Sequence, residues 1–290
     1  MVSPDFISFG EILFDCFDGM QTLGGAPLNV SVHLSRLGFG GCIISAVGND
    51  SLGRKALEEI RNTGLSTERI AVLDGVATGR ADVVLSADDA DYEFNSPAAW
   101  DMIPYPERIE SHASVIYFGT LAQRCAASRT ALRRLLSNMT ADTVFFDVNI
   151  RKSFYTGDII REGLRAATVL KMNDAEVPIV LRESGCSSPD EICRRYSVSD
   201  VIITEGKQGS SLIKNDGSIT RYSAGSSDAV DTVGAGDSLS AGFIASLLKG
   251  MTTEEALRIG SVLADYVVTK HGATPEYDEK IKSKLKELLG

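Results

Sequence analysis

Short apolar runs, most of them ending in a cluster of polar residues, recur along the chain and predict strands alternating with helices. Residues 6–15 read as one buried strand that turns polar at Glu11 and Asp15, and 16–23 as loop or short strand. A helix starts over Gly24-Gly25-Ala26-Pro27-Leu28-Asn29, with proline in the first turn, where a missing N–H does no harm. Val30, Leu34 and Leu37 follow at helical spacing, and Gly38 stops the helix. Residues 42–48 form the next strand, and 51–62 a helix with Leu52, Ala56 and Ile60 on one face. Strand, helix, strand, helix predicts a parallel sheet.

The rhythm changes between Ile70 and Asn95. Residues 70–73, 80–85 and 92–94 are short strand-like runs separated by Asp74-Gly75 and by the acidic turn Asp88-Asp89-Ala90-Asp91. Such a meander inside an alternating chain reads as a small antiparallel excursion, placed to lie over a site or simply to extend a sheet edge. Alternation then returns. Strands at 114–118, 143–146, 168–172 and 201–203 each end in polar residues, which bring Asn149, Arg151, Asn173, Glu176 and Thr204 to the carboxyl ends. Ligands of open α/β sheets bind in the crevice outside those ends, although each residue alone could be a loop residue or a helix cap. Residues 209–213 and 219–222 flank Asn215-Asp216-Gly217 as a hairpin. Helices close the chain at 253–269 and 277–289, the last a surface helix rich in lysine and glutamate.

Composition narrows the function. With 29 basic and 39 acidic residues the net charge is −10, which argues against nucleic acid or an anionic membrane as the main partner. Five cysteines without C-x-x-C spacing suggest neither a disulfide framework nor a zinc site, and point to a reducing cytoplasm. Residues Met1 to Asp5 lack the basic region of a signal peptide, and no apolar run is long enough for a membrane span. His33 falls within an apolar helix and reads as a core residue rather than a ligand. One domain spans residues 1–290, with no linker or repeat.

The stretch with most chemistry is Asp231-Thr232-Val233-Gly234-Ala235-Gly236-Asp237-Ser238, which runs into an apolar helix closed by Lys249-Gly250. A Gly-Ala-Gly turn at a helix N-terminus gathers free N–H groups and the positive end of the helix dipole, so it can bind phosphate without a lysine. Asp237, in the first turn, is placed to take a proton from a hydroxyl attacking that phosphate. The bland alternative is a glycine-rich turn whose aspartate merely favours the helix start. No G-x-x-x-x-G-K-[ST] occurs, no strand runs into G-x-G-x-x-G, and protein-kinase signatures are missing.

Gly24-Gly25-Ala26-Pro27-Leu28-Asn29, with Leu37-Gly38, resembles the N-terminal signature of the PfkB (ribokinase-like) carbohydrate kinases, and 231–238 matches their C-terminal signature without a gap. The resemblance covers essentially the whole chain. It implies an α/β three-layer sandwich with a central, mostly parallel sheet and a small β lid, here about 13–22 and 72–97. It also implies ATP-dependent phosphoryl transfer to a sugar, with Mg2+ as cofactor and K+ as an expected activator. Asp237 then matches the base, and Gly234, Ala235 and Gly236 the anion hole. Asp15, Gly25 and Asn29 match positions that hold sugar hydroxyls. Asn173 and Glu176 match N-x-x-E, which organises magnesium through water, and Asp231 and Val233 match a monovalent-cation loop. Thr204, Gly206 and Gly209 fall in the nucleotide-side turn, where Glu205 stands in place of the apolar residue of many relatives.

The segments 24–29, 147–151 and 118–124 look most like the fructokinase branch. Arg151 could serve phosphates or the carboxylate of 2-keto-3-deoxygluconate, which keeps that kinase as an alternative, along with aminoimidazole-riboside kinase. A non-catalytic sugar sensor on the same fold is the alternative of a different class. Relatives often pair through their lids, so a homodimer through this one is a further expectation.

Overall fold

The computed structural model describes residues 3–85, 90–225 and 229–290. The opening apolar run is two strands rather than one. β1 (Phe6–Phe9) lies in the large sheet, whereas β2 (Leu13–Phe17) leaves it for a smaller sheet. The chain breaks direction at Gly10, against the start of the first helix; a β-carbon there would come 2.5 Å from the Pro27 ring. β3 (Met20–Gly24) pairs antiparallel with β2, so the segment read as loop or short strand is half of a hairpin.

After α1 (Ala26–Arg36), β4 (Gly41–Gly48) and α2 (Ser51–Asn62), the run Ile70–Leu73 departs from its expected place in the excursion. It forms β5, the edge strand of the large sheet, parallel to β4 with Ser45 opposite Ile70. β4, α2 and β5 are therefore another strand-helix-strand unit, and only β6 (Gly79–Leu85) and β7 (Ala90–Phe94) join the small sheet. Its order is β3-β2-β6-β7; β2 and β6 run parallel, the other two pairs antiparallel. Asp88 and Asp89 of the acidic turn lie outside the described residues.

The remaining elements are β8 (His112–Gly119), α3 (Ala126–Asn138), β9 (Thr140–Asp147), α4 (Gly157–Ala166), β10 (Val169–Asn173), α5 (Val177–Ser184), α6 (Pro189–Tyr196) and β11 (Asp200–Thr204). The hairpin β12 (Ser210–Lys214) and β13 (Ile219–Tyr222) follows, then α7 (Ala235–Leu248), α8 (Thr253–Val267) and α9 (Glu279–Leu289). The large sheet has the order β13-β12-β11-β10-β9-β8-β1-β4-β5 and is parallel from β11 to β5. Parallel strands buried on both faces read as continuous apolar runs, which is why their sequences show little alternation. Neighbouring residues serve opposite layers: Phe145 packs with α1, α7 and α8, and Phe146 with α3 and α4. The result is three layers, helix, sheet and helix.

α7 is buried from Ser238 to Ser246 and packs on α8, where Gly242 and Gly260 let the two backbones meet. The last two helices are shorter than expected. α8 ends at Val267, and α9 starts after Asp278, whose carboxylate caps the Ile281 N–H. Tyr277 instead turns inward and stacks on His33. His33 is a core residue, as expected, 2.6 Å from Tyr277 Oη and 3.0 Å from the Ala273 carbonyl. Burial pushes its pKa down to about 4. Among the described residues no helix is long and apolar enough to cross a membrane.

Candidate active site

The glycine turn ends as a helix N-terminus, as its sequence demands. Gly234 is the N-cap at φ 77°, a left-handed conformation that glycine tolerates, and a β-carbon there would lie 2.5 Å from the Ala273 Cα. The first helical bond runs from Ser238 N–H to the Gly234 carbonyl, and Ala235 N–H is turned to the Thr232 carbonyl at 3.3 Å. The N–H groups of Gly236 and Asp237 have no backbone partner among the described residues. Those two amides, and not that of Ala235, are the open donors of the turn.

Asp237 is the third residue of α7. Its Oδ2 accepts the Nδ2 of Asn29, 2.8 Å away, from the first turn of α1. Burial pushes the Asp237 carboxyl up to about 6; the Asn29 bond opposes this, the Asp147 charge adds to it, and Lys171 and Arg151 oppose it. Gly25 caps α1 at φ 114°, and a β-carbon there would collide with the Glu11 carbonyl oxygen. Asp15, on β2, lies against Gly24, where a β-carbon would be 2.9 Å from its Oδ2. Its pKa is pushed up to about 6, mainly by burial, with Arg151 opposing and Asp237 adding. The structure thus brings Asp15, Gly25, Asn29, Arg151 and Asp237 to one place, from β2, α1, the loop after β9, and α7.

Across the helix start lies a cleft of about 720 Å³, lined among others by Asn173, Thr204, Gly206, Gly209, Ala235 and Gly236. Asn173 and Thr204 stand side by side on β10 and β11. The Asn173 side chain accepts Glu176 N–H at 2.9 Å, and Glu176 in return accepts Asn173 N–H at 2.8 Å and Ile150 N–H at 2.7 Å. Glu176 is 5% exposed, and burial raises its pKa. With both oxygens on backbone amides it fits an outer-sphere role toward magnesium, through water, better than direct ligation. Among the described residues no cluster of three or more metal-ligating side chains forms. Magnesium here would rest mainly on phosphate and water. Glu205 is held by Ser211, whose hydroxyl donates to it at 2.9 Å, which accommodates a charged residue beside the cleft.

Asp231 and Val233 fall in one loop, beside the start of α7. The Asp231 carboxylate accepts Val233 N–H and Gly272 N–H, each at 3.0 Å, while Val233 is exposed. Its oxygens are hard donors of the kind a monovalent cation takes, though already shared with two amides.

Three charged residues near Asp237 received no role from the sequence. Glu11 is 3% exposed, its Oε2 lacks a hydrogen-bond partner, and burial pushes its pKa up to about 7. Lys171 and Asp147 form a buried ion pair at 2.8 Å. The signal for Lys171 was a lysine inside an apolar strand, a position where an unpaired charge is not tolerated.

Layering, strand order and the small second sheet are those of the ribokinase-like fold, and a phosphotransferase is the class of enzyme this arrangement defines. The pattern of the pfkB family carbohydrate kinases matches residues 2–280, and the chain belongs to that family. An uncharacterized sugar kinase of Pyrococcus horikoshii is 28% identical over 283 residues, covering 90% of this chain and 86% of its own. Its crystal structure with ATP superposes with a TM-score of 0.85, covering 98% and 99% of the two chains. Fructokinase-1 of Oryza sativa is 24% identical over 320 residues, 95% of each chain. A 5-dehydro-2-deoxygluconokinase of Bacillus licheniformis is 26% identical over 270 residues, covering 87% of this chain and 82% of its own.

Proposed function

We propose that this carbohydrate kinase transfers the γ-phosphoryl group of ATP to a hydroxyl of a neutral sugar, with fructose as the leading acceptor. The observation that carries the reading is the Asn29–Asp237 bond. It fixes a half-buried carboxyl, pushed up to about 6, next to two open amides at a helix start. A base with that pKa is ionised at neutral pH and still basic enough to take the proton as the hydroxyl attacks. The Gly234-Ala235-Gly236 turn then holds the moving phosphoryl through the amides at its end and through the helix dipole.

In this reading Asp15, Gly25 and Asn29 hold sugar hydroxyls, and Arg151 faces the same space. Glu11, Asp15 and Asp237 outnumber Arg151 there, so an acceptor carrying a carboxylate or phosphate would meet net repulsion. This favours fructose over 2-keto-3-deoxygluconate. Asn173, Thr204, Gly206 and Gly209 line the nucleotide side. Glu176 orders the water shell of magnesium, which when bound neutralises phosphate charge. Asp231 and Val233 form the candidate potassium loop. The small sheet serves as the lid. Phe17 and Met20 stand exposed on it where a second copy would pair, which sedimentation velocity at micromolar concentration tests.

The direct test is ADP release with ATP and magnesium against fructose, 2-keto-3-deoxygluconate, ribose, aminoimidazole riboside and adenosine. Fructose turnover far above the rest is the expected result. Preference for another acceptor would move the specificity and keep the reaction. Sugar binding without turnover on any acceptor is what a sensor would give, and would overturn the reading.

A further inference from the structure

The buried ion pair beside the site takes no part in the roles above. Lys171 sits in the apolar run of β10 with 8% of its side chain exposed, and its Nζ donates to both oxygens of Asp147, at 2.8 and 3.0 Å. Asp147, at the end of β9, also accepts the Tyr117 hydroxyl from β8 at 3.0 Å and the Ser240 hydroxyl from α7 at 3.3 Å. One carboxylate thereby ties β8, β10 and α7 to β9. Such a pair adds little net stability over apolar residues of similar volume, because desolvation offsets the attraction. Its location is more informative than its strength. A β-carbon on Gly236 would lie 3.2 Å from Lys171 Nζ, so the ammonium rests against the residue whose N–H is open at the start of α7.

We propose that Lys171 is a positioning residue for phosphoryl transfer: its ammonium, clamped by Asp147 against Gly236, adds a fixed positive charge to the anion-binding turn and holds that turn in register with Asp237. The proposal rests on the kinase reading of this site but not on which sugar is the acceptor. A charge fixed in a dry site needs no reorganisation as negative charge moves onto the turn, which is where electrostatic stabilisation is strongest. Asp147 is the holder, and through Ser240 it anchors α7 one turn beyond the reacting end. The charges facing Asp237 are those of Asp147, Lys171 and Arg151, together with the carboxyls of Glu11 and Asp15, and Lys171 favours its ionised form. Lys171 itself lies under the influence of Asp147, Asp237 and Glu176. Loss of the lysine alone would leave Asp147 buried, uncompensated and raising Asp237 further.

The experiment compares wild type with Lys171→Met, Lys171→Arg and the double variant Asp147→Asn/Lys171→Met, each on the acceptor that wild type turns over best. The double variant removes both buried charges, so it guards against misfolding; circular dichroism and thermal unfolding verify the fold. Its kcat should fall by roughly 10- to 100-fold, less than the loss of a direct oxyanion donor, with sugar KM within about twofold. Lys171→Arg should recover part of that loss. Lys171→Met should move the acid limb of the kcat/KM profile to higher pH, a shift a merely structural role would not give. A folded double variant with kcat within about threefold of wild type would overturn the proposal. Wild-type turnover on any acceptor reports on the kinase reading and the variant-to-wild-type ratio on Lys171, so the two failures are distinguishable.

Discussion

On the α1 side of the α7 N-terminus, Glu11 is buried and Asp15 and Asp237 are half-buried, and desolvation raises their pKa values to about 7, 6 and 6. On the other side, an open cleft of about 720 Å³ is lined by Gly206, Gly209, Ala235 and Gly236 together with larger residues such as Lys207 and Tyr222. The difference follows from what each side is proposed to hold. Sugar hydroxyls are weak donors, and a desolvated carboxylate reads them strongly. Phosphates already carry charge, and the N–H groups at a helix start receive them, here with the buried Lys171–Asp147 pair behind Gly236. One side therefore selects through carboxyls held in a desolvating site, and the other offers mainly neutral donors to a ligand that brings its own charge.

The comparison breaks first at Asp237. Asp237→Ala should lower kcat by about two to four decades while ATP binding, followed by calorimetry, stays unchanged. Survival of activity within a few-fold would remove Asp237 as the base. Next comes Asp15→Asn, which should raise sugar KM by roughly 10-fold or more, the worth of a charged hydrogen bond, and leave the KM for ATP alone. Equal effects on both substrates would blur the two sides into one. The pH profile sharpens the same point. Because the base acts ionised, kcat/KM should fall at least tenfold per pH unit below about 6, more steeply where Asp15 titrates with it, and level off above it. A flat profile down to pH 5 would count against a base with that pKa.

The smallest expected effect concerns stability. The folded pKa of Asp237 lies above its ordinary value of 3.8, so its ionised form is penalised in the folded state above about pH 6. Asp237→Asn should therefore stabilise the protein at pH 7.5 by about 1–3 kcal/mol, and this gain should vanish below about pH 4. Urea titrations at both pH values measure it; an equal gain at both would point to packing rather than charge.

Much of this was legible in the sequence because the signals were local. Gly234-Ala235-Gly236-Asp237 running into an apolar helix, and Gly25-Ala26-Pro27 opening another, encode helix starts within a few residues. What escaped was pairing at a distance. Ile70–Leu73 is four residues long, and only its parallel register with β4 assigns it to the large sheet. The opening run divides at Gly10 because the backbone must pass Pro27, a contact no window of sequence contains. Lys171 reads as a stray charge in a strand until Asp147 and Gly236 are seen beside it.

The hydrogen bond between Asn29 and Asp237 joins residues 208 positions apart. During synthesis at about 5–20 residues per second, α1 would wait on the order of 10–40 s for α7 to emerge from the ribosome. Val30, Val32 and Leu34, all buried in the finished protein, would meanwhile lack one of the helices they share a core with. The nascent chain is thus committed to a long interval with an uncovered apolar helix near its front, and that interval is where a chaperone that binds apolar segments would engage it.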